Sequence, residues 1–451
     1  MRKLNLHFIF KGAMMLSVAS LIFLASCAKD GADGKDGKDA SDAVATCKTC
    51  HNPSVVDSMA TQFGMSKHEF GLAAEEEQGQ MSCGPCHLQE AFKYVCRNNT
   101  SAAFTKVGTD TTYTNMYSVP AGSAYGKLSC FTCHSSLHTT YGYSDMSSLT
   151  SIAPVPMTFF GGTKTINLTQ DGGKSNLCVK CHQPRPFTKS NTGQDKNVLN
   201  YAKLLTNPSD TFWSETQATI LNVLKPGYRT HTHYGTVGAN FAGVGFGGIE
   251  YGTGYTNSIH TTVASCEDCH MAPITGKAGG HSFVAKGNFN GCNVSNCHAT
   301  APITATTSSK YWLQTRNSVK TLLNSLAVKL REGGVDILNR NGNTNEAVGG
   351  VNLWAGLTTN NYDGYLNIYD PITNPLVQTY NASSFRYVGT PPSTWSAAQI
   401  AYNLTLPKLT LTNVQMGAII NFQMCLREYS LGIHNTAYTV TLLTNTIAAL
   451  P

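Results

Sequence analysis

The sequence predicts a mainly α-helical chain with much irregular coil and little β-strand. Three observations predict it. Cysteine and histidine, 15 and 14 of 451 residues, recur as short motifs along the first 300 positions. The stretches between the motifs are rich in Gly, Ser, Thr and Asn and keep no sustained period. Beyond residue 305 the apolar residues fall into helical register. Charged residues are 13% of the chain and hydrophobic ones 41%, which excludes a disordered polyelectrolyte and a coiled coil. The formal charge of +6 is modest and no Lys/Arg cluster offers a phosphate footprint, so nucleic acid is not an expected partner.

The N-terminus reads as an address. Arg2, Lys3 and Lys11 flank an apolar stretch, Ala13 to Leu24, that is too short to span a bilayer as a stable helix. It runs into Leu24-Ala25-Ser26-Cys27, which resembles the lipobox of bacterial lipoproteins. The resemblance implies cleavage before Cys27 and lipidation of that cysteine. Because Ala28 and Lys29 follow instead of Asp, it also implies sorting to the outer membrane. The alternative is an ordinary signal peptide with an incidental cysteine. Residues 1–26 are therefore expected to be a lipoprotein signal peptide, and 27–42 a lipid-anchored tether. In that tether Gly31, Gly34 and Gly37 keep the three-residue period of collagen. The run is short, lacks proline and carries no apolar side chain larger than alanine, so a flexible spacer is the better reading. No later segment reaches the roughly 18 consecutive apolar residues of a membrane span, which leaves the lipid anchor as the expected membrane attachment.

The cysteines sort almost completely. Five groups fit C-x-x-C-H: Cys47/Cys50/His51, Cys83/Cys86/His87, Cys130/Cys133/His134, Cys178/Cys181/His182 and Cys266/Cys269/His270. A sixth, Cys292/Cys297/His298, is stretched by two residues. Each reads as a c-type haem attachment site. Two thiols add across the two vinyl groups on one porphyrin edge, and the adjacent imidazole meets the iron from below as proximal ligand. A single C-x-x-C also suits zinc or a redox dithiol, but zinc ribbons carry no systematic trailing histidine. Six haem c groups are therefore expected, with the fold's core built around them as in a multihaem cytochrome c. Cys96 and Cys425 are left over; they form either one disulfide or two buried free thiols.

The histidines agree with that count. His7 lies in the signal peptide and six lie in the motifs, which leaves His68, His138, His231, His233, His260, His281 and His434. Six bis-histidine irons need six distal ligands, so these seven are the distal candidates. Methionine is the competing axial ligand. If residues 134–138 are helical, His134 and His138 share one face and cannot flank a single iron, so His138 is expected to reach a neighbouring haem.

The segment from about 225 to 301 resembles the multihaem cytochrome superfamily that includes the pentahaem nitrite reductases and octahaem cytochromes. The matching pieces are Thr230-His231-Thr232-His233-Tyr234-Gly235, Cys266-Glu267-Asp268-Cys269-His270-Met271-Ala272-Pro273 and Gly280-His281-Ser282-Phe283. Glu428-Tyr429-Ser430-Leu431-Gly432-Ile433-His434-Asn435 is similar to the Gly-x-His-Asn element of the same families. The resemblance implies distal roles for His233 (or His231), His260 and His281, and makes His434 an axial ligand at the start of a final helix. It covers roughly a third of the chain. The catalytic haem of those nitrite reductases is bound through a lysine, and no Cys-x-x-Cys-Lys occurs here.

The rest of the chain is read for organisation. Residues 43–305 are expected to form a hexahaem domain of short motif-bearing helices in irregular coil. Pro184 and Pro186 end any helix begun at His182. Gly243-Val244-Gly245-Phe246-Gly247-Gly248 formally fits G-x-G-x-x-G, but Gly252 and Gly254 follow at once where a helix is required. A glycine-rich loop over a haem edge is the expected reading there. Residues 306–451 are expected to be a helical module that braces the haems and supplies a distal histidine. Its helices are Lys310–Arg331 with a Gly333-Gly334 stop, Asn413–Tyr429 with Val414, Ile419, Phe422 and Leu426 inward, and a third from an Asn435 cap to about Ala449. Residues 335–395 read as irregular surface with short strands.

The expected function is electron transfer through six bis-histidine haems at the outer membrane, in respiratory or extracellular electron flow. The expected partners are other redox proteins, periplasmic or outer-membrane cytochromes or a porin–cytochrome assembly, or an extracellular acceptor. The alternatives are a multihaem reductase of nitrite, hydroxylamine or a sulfur oxyanion with one open iron, and a subunit of a haem filament.

Overall fold

The computed structural model describes residues 53–71, 83–99, 104–106, 113–115, 126–134, 149–160, 162–185, 201–214, 232–304, 309–333, 336–339, 361–367, 380–381, 386–387 and 410–451. Cys27, Cys47, Cys50, His51, His138 and His231 lie outside them. Backbone contacts divide the chain into residues 1–56 with 140–146, and residues 57–139 with 147–451. Of the first unit only residues 53–56 are described, in the first turn of helix α1 (Pro53–Gly64).

The described chain is mainly helical with little strand. Short helices carry the first 300 residues: α2 (Lys67–Phe70), α3 (Gly84–His87), α4 (Gln89–Asn98), α5 (Cys130–Cys133), α6 (Ser175–Val179), α7 (Tyr201–Thr206), α8 (Val237–Ala242), α9 (His260–Val263) and α10 (Cys266–His270). Three long ones follow: α11 (Gln314–Glu332), entered through a π-helical turn at Ser309–Leu313, then α12 (Asn413–Arg427) and α13 (Thr436–Ala449). Strands pair only two by two and antiparallel. One pair is long-range: Thr410–Thr412 lies against Thr211–Ser214 and delivers the chain to the start of α12.

The ends of these helices follow from their caps. Thr412 and Gln415 form a capping box that opens α12. The Asn435 side chain accepts from the Tyr438 N–H to open α13, at the position expected from sequence.

One apolar core joins residues from both sides of position 305, among them Val155, Phe159, Leu204, Ile249, Leu323, Ile420, Phe422 and Leu442. Helix α12 lies at its centre and is buried on every side, because α7, α11 and α13 all pack against it. The four inward residues expected from sequence are inside, but so are Asn413, Gln415, Asn421, Gln423 and Arg427. Buried polar side chains need partners; the four amides find them in backbone, and the Arg427 guanidinium lies over the Tyr234 ring. Asn413 donates to the Asn207 carbonyl at 2.8 Å, Gln415 to the Gly333 carbonyl at 2.9 Å, and Gln423 accepts from the Thr232 N–H at 3.2 Å.

The glycine-rich loop packs on the two last helices. It leaves α8 at Gly243 (φ +70°) and presses Gly247 against the Tyr438 ring and Gly248 against Asn421 and Leu442. Its glycines therefore serve close backbone packing onto α12 and α13. A Cβ at 247 would overlap the Tyr438 ring, which is itself fully buried. Gly247→Ala is expected to destabilise the fold by about 1–3 kcal/mol through overpacking; an unchanged urea midpoint would contradict this. Among the described residues no helix is long and apolar enough to cross a membrane.

Candidate functional site: five facing histidine pairs

The attachment motifs fold alike because their spacing suits one helical turn. Cysteines three apart and a histidine four from the first lie on one face of a helix. Ser265 caps α10 through a box with Asp268, and Ser129 with Thr132 does the same for α5. The turn is closed by the histidine N–H reaching back to the first cysteine carbonyl, at 2.9 Å for His134 to Cys130 and 2.9 Å for His182 to Cys178. The stretched motif makes the same closure without a helix: the His298 N–H reaches the Cys292 carbonyl at 3.0 Å. Its two extra residues are taken up in a turn that Asn293 pins to both backbone groups of Ile303, each at 2.8 Å.

Of the described motif cysteines, Cys83, Cys86, Cys133, Cys181, Cys266, Cys269 and Cys292 are half-buried, and Cys130, Cys178 and Cys297 are exposed. In the stretched motif the added length carries Val294, Ser295 and Asn296 out into solvent and Cys297 with them, held by its N–H on the Val294 carbonyl at 3.0 Å. The sixth motif thus presents one sheltered thiol, Cys292, and one at the surface, Cys297.

Each of the five described motif histidines faces a different histidine from the distal candidates. His87 faces His233 with ring centres 6.4 Å apart, His134 faces His281 at 6.2 Å, and His182 faces His68 at 6.0 Å. His270 faces His434 at 6.1 Å, and His298 faces His260 at 6.1 Å. Aromatic rings that merely pack span about 4.5–7 Å, so one such pair says little. Two imidazoles on opposite sides of one metal ion, each bonded at about 2 Å with its ring centre about 1.2 Å further on, stand about 6.4 Å apart. All five pairs fall within a few tenths of an ångström of that separation. The pairing, which sequence leaves open, is fixed by geometry. His134 meets a histidine far along the chain, in the loop at Gly280–Ser282.

Ring tautomers follow from the acceptors. Nδ1 of His233, His260 and His270 lies 3.1, 3.0 and 2.8 Å from the carbonyls of Tyr234, Ile433 and Phe283. A carbonyl only accepts, so these Nδ1 atoms carry the proton and Nε2 keeps its lone pair, the form that ligates metal. His434 directs Nδ1 at the Glu428 carboxylate, 2.6 Å away and fully buried. Burial alone would raise the Glu428 pKa, but the contacts with His434, the Ser430 hydroxyl and the Gly432 N–H outweigh it and hold the group below its ordinary value. Sequence reading did not single out Glu428, although it stands six residues before His434 in the element that marked that histidine. Phe283 was also missed. Its backbone is left-handed (φ +56°), its ring stands 4.9 Å from that of His68 and 5.9 Å from that of His281, and its carbonyl serves His270.

Burial favours the neutral form of His182 and His233. It pushes His182 down to about 3, helped by His68, His270, His434 and His87 nearby, and His233 to about 3, helped by Arg185. A histidine with a lowered folded pKa takes up protons first in the unfolded chain, below about 6.5. Stability is therefore complete above that pH and falls as the pH drops from 6.5 toward 3. A lower urea midpoint at pH 5 than at pH 7.5 is expected; equal midpoints would refute it.

The residues fit a porphyrin iron better than a bare ion. Among the described residues no group of three or more His, Cys, Asp or Glu could hold a metal, whereas a structural zinc needs four protein ligands and a haem iron two. Phe70, Phe131, Ile259, Val263, Val284 and Val294 are exposed apolar side chains, each within three residues of a paired histidine or a motif cysteine, as the flank of an apolar macrocycle requires. Cys96 and Cys425 are free and buried, so the disulfide alternative is not realised. Cys96 packs with Phe92 and Leu177 and Cys425 belongs to the core around α12. Burial pushes the Cys96 thiol up to about 12. Comparison with protein-family models, with curated proteins and with solved structures finds no match for this chain.

Proposed function

We propose that the chain is a hexahaem c-type cytochrome that carries single electrons, held at the outer membrane by a lipid on Cys27. The observation that carries this reading is the set of five facing histidine pairs, each joining a different attachment motif to a different distant histidine. When bound, haem supplies a one-electron iron couple whose potential the protein sets. The chain's residues hold each group by two thioether sulfurs, fix two imidazoles in the ligating tautomer, and surround them with a largely apolar shell. Every described motif histidine has a facing imidazole, which favours closed irons and a carrier over a reductase with one open site. Electrons would come from a redox protein on one side and pass to another cytochrome, a porin-associated partner or an extracellular acceptor.

The test is spectroscopic. Pyridine haemochrome assay and intact mass should give six haems per chain, and electron paramagnetic resonance of the oxidised protein should show low-spin iron only. The reduced protein should form no carbon monoxide adduct. Absence of haem sinks the proposal, and a high-spin signal with rapid carbon monoxide binding turns it toward the reductase.

A further inference from the structure

We infer that the attachment motif Cys178/Cys181/His182 is the branch point of the array, where the second, third and fifth motifs meet; this rests on the haem-binding reading above. Its two sides meet different neighbours. Cys181 meets the second motif: its Sγ donates to the Cys86 carbonyl at 3.8 Å, and the Cys86 Sγ donates to the Lys180 carbonyl at 4.0 Å. Cys181 and Cys133 of the third motif both pack against one small cluster, Phe92, Cys96 and Leu177. The fifth motif is reached on the other side, where the Cys266 N–H donates at 3.0 Å to the hydroxyl of Ser175, three residues before Cys178.

These contacts are braced by neighbouring groups. Lys174 pairs with Glu267 at 2.9 Å. The Gln89 N–H, just after the second motif, donates to the Gly126 carbonyl ahead of the third at 3.0 Å. The fifth motif continues to the sixth, where Gly291, just ahead of Cys292, packs on Asp268 and Ala272. Gly291 lies so close to the Asp268 carbonyl that a Cβ would overlap it.

In a c-type site each cysteine sulfur is bonded to a porphyrin edge, so motifs packed together bring edges together. An electron given up by one iron, which is oxidised, reduces the next. Three routes converge at the fourth motif: one to the second, one to the third, and one through the fifth to the sixth. The external donor and acceptor are redox partners of the kind named above.

The experiment counts neighbours electrically. His68→Met in the intact holoprotein exchanges one axial ligand of the fourth site for a thioether, which raises its potential and makes it the first to be reduced. The added electron lowers the potential of each adjacent haem. In a spectropotentiometric titration at least three of the other five potentials should then shift downward. His260→Met, at the sixth site, should shift one. Two or fewer shifts for His68→Met, or equal numbers for the two variants, overturns the branch point while six haems by pyridine haemochrome still uphold the cytochrome reading. Absence of haem overturns both. If His68→Met does not accumulate, a structure of the unmodified holoprotein decides. Macrocycle edges of the second, third and fifth groups in contact with the fourth uphold the branch, and any of the three standing apart overturns it.

Discussion

His434→Ala is expected to convert one iron in six from low spin to high spin and to create one carbon monoxide site per chain. In the proposed cytochrome the thioether links at Cys266 and Cys269 would not depend on His434, so six haems should remain attached. What is lost is the imidazole facing His270, 6.1 Å away between ring centres. The change also strands Glu428. That carboxylate has no exposed side-chain surface and rests on three contacts: His434 at 2.6 Å, the Ser430 hydroxyl at 2.6 Å and the Gly432 N–H at 2.9 Å. Removing a partner from a buried charged group costs about 1–3 kcal/mol or more, so the variant should also unfold at lower urea. Glu428→Gln separates the two effects. Its amide oxygen still accepts the Nδ1 proton, which keeps the iron low-spin, but the negative charge that strengthens the imidazole as a ligand is gone. One haem potential should rise while the spin state stays put. A low-spin His434→Ala protein would show that His434 is not a ligand.

Asn421→Ala should give the largest loss of stability outside the histidine pairs, about 3–5 kcal/mol. The side chain is wholly buried and makes three hydrogen bonds. It accepts from the Ile249 N–H at 2.7 Å, donates to the Ile249 carbonyl at 2.8 Å, and donates to the Thr446 hydroxyl at 2.7 Å. It thereby ties α12 to the loop at 243–249 and to α13 in one residue. Truncation leaves an N–H and a C=O without that partner in a dry core, each at about 1–3 kcal/mol, and adds a cavity. Asn421→Asp keeps the acceptor and loses the donors, so it should fall between. A denaturant-derived loss below about 1 kcal/mol for the alanine variant would contradict this account.

Most of the site's membership was legible in the sequence, and almost none of its wiring. C-x-x-C-H announces itself because attachment to one porphyrin edge demands two thiols at fixed spacing with an imidazole beside them. The stretched motif was legible as a variant, but its spacing gave no sign that Cys297 would sit at the surface while Cys292 is sheltered. The distal candidates were identifiable as a surplus, and four of them from local motifs that resemble known cytochromes, but nothing local tells which motif histidine each one faces. That His68 faces His182 and His281 faces His134 is a tertiary fact. The long helices α11, α12 and α13 were visible from apolar period and caps. The burial of α12 on all sides was not, because Asn413, Asn421 and Gln423 read as a solvated face until the backbone groups they serve are seen. The loop at 243–248 shows the same limit: glycine tells that something approaches closely but not what, and here Gly247 meets Tyr438 and Gly248 meets Leu442.

The strand pair joining Thr410–Thr412 to Thr211–Ser214 orders events in time. Chains emerge and fold N-terminus first, and contacts of large sequence separation close late because their loop entropy must be met before they reward it. All six attachment motifs precede residue 300, while half of the apolar core and the Glu428–His434 pair arrive after residue 410. In the cytochrome proposed here, covalent loading would therefore act on an open chain whose thiols are still reachable, and the last forty residues would then seal it.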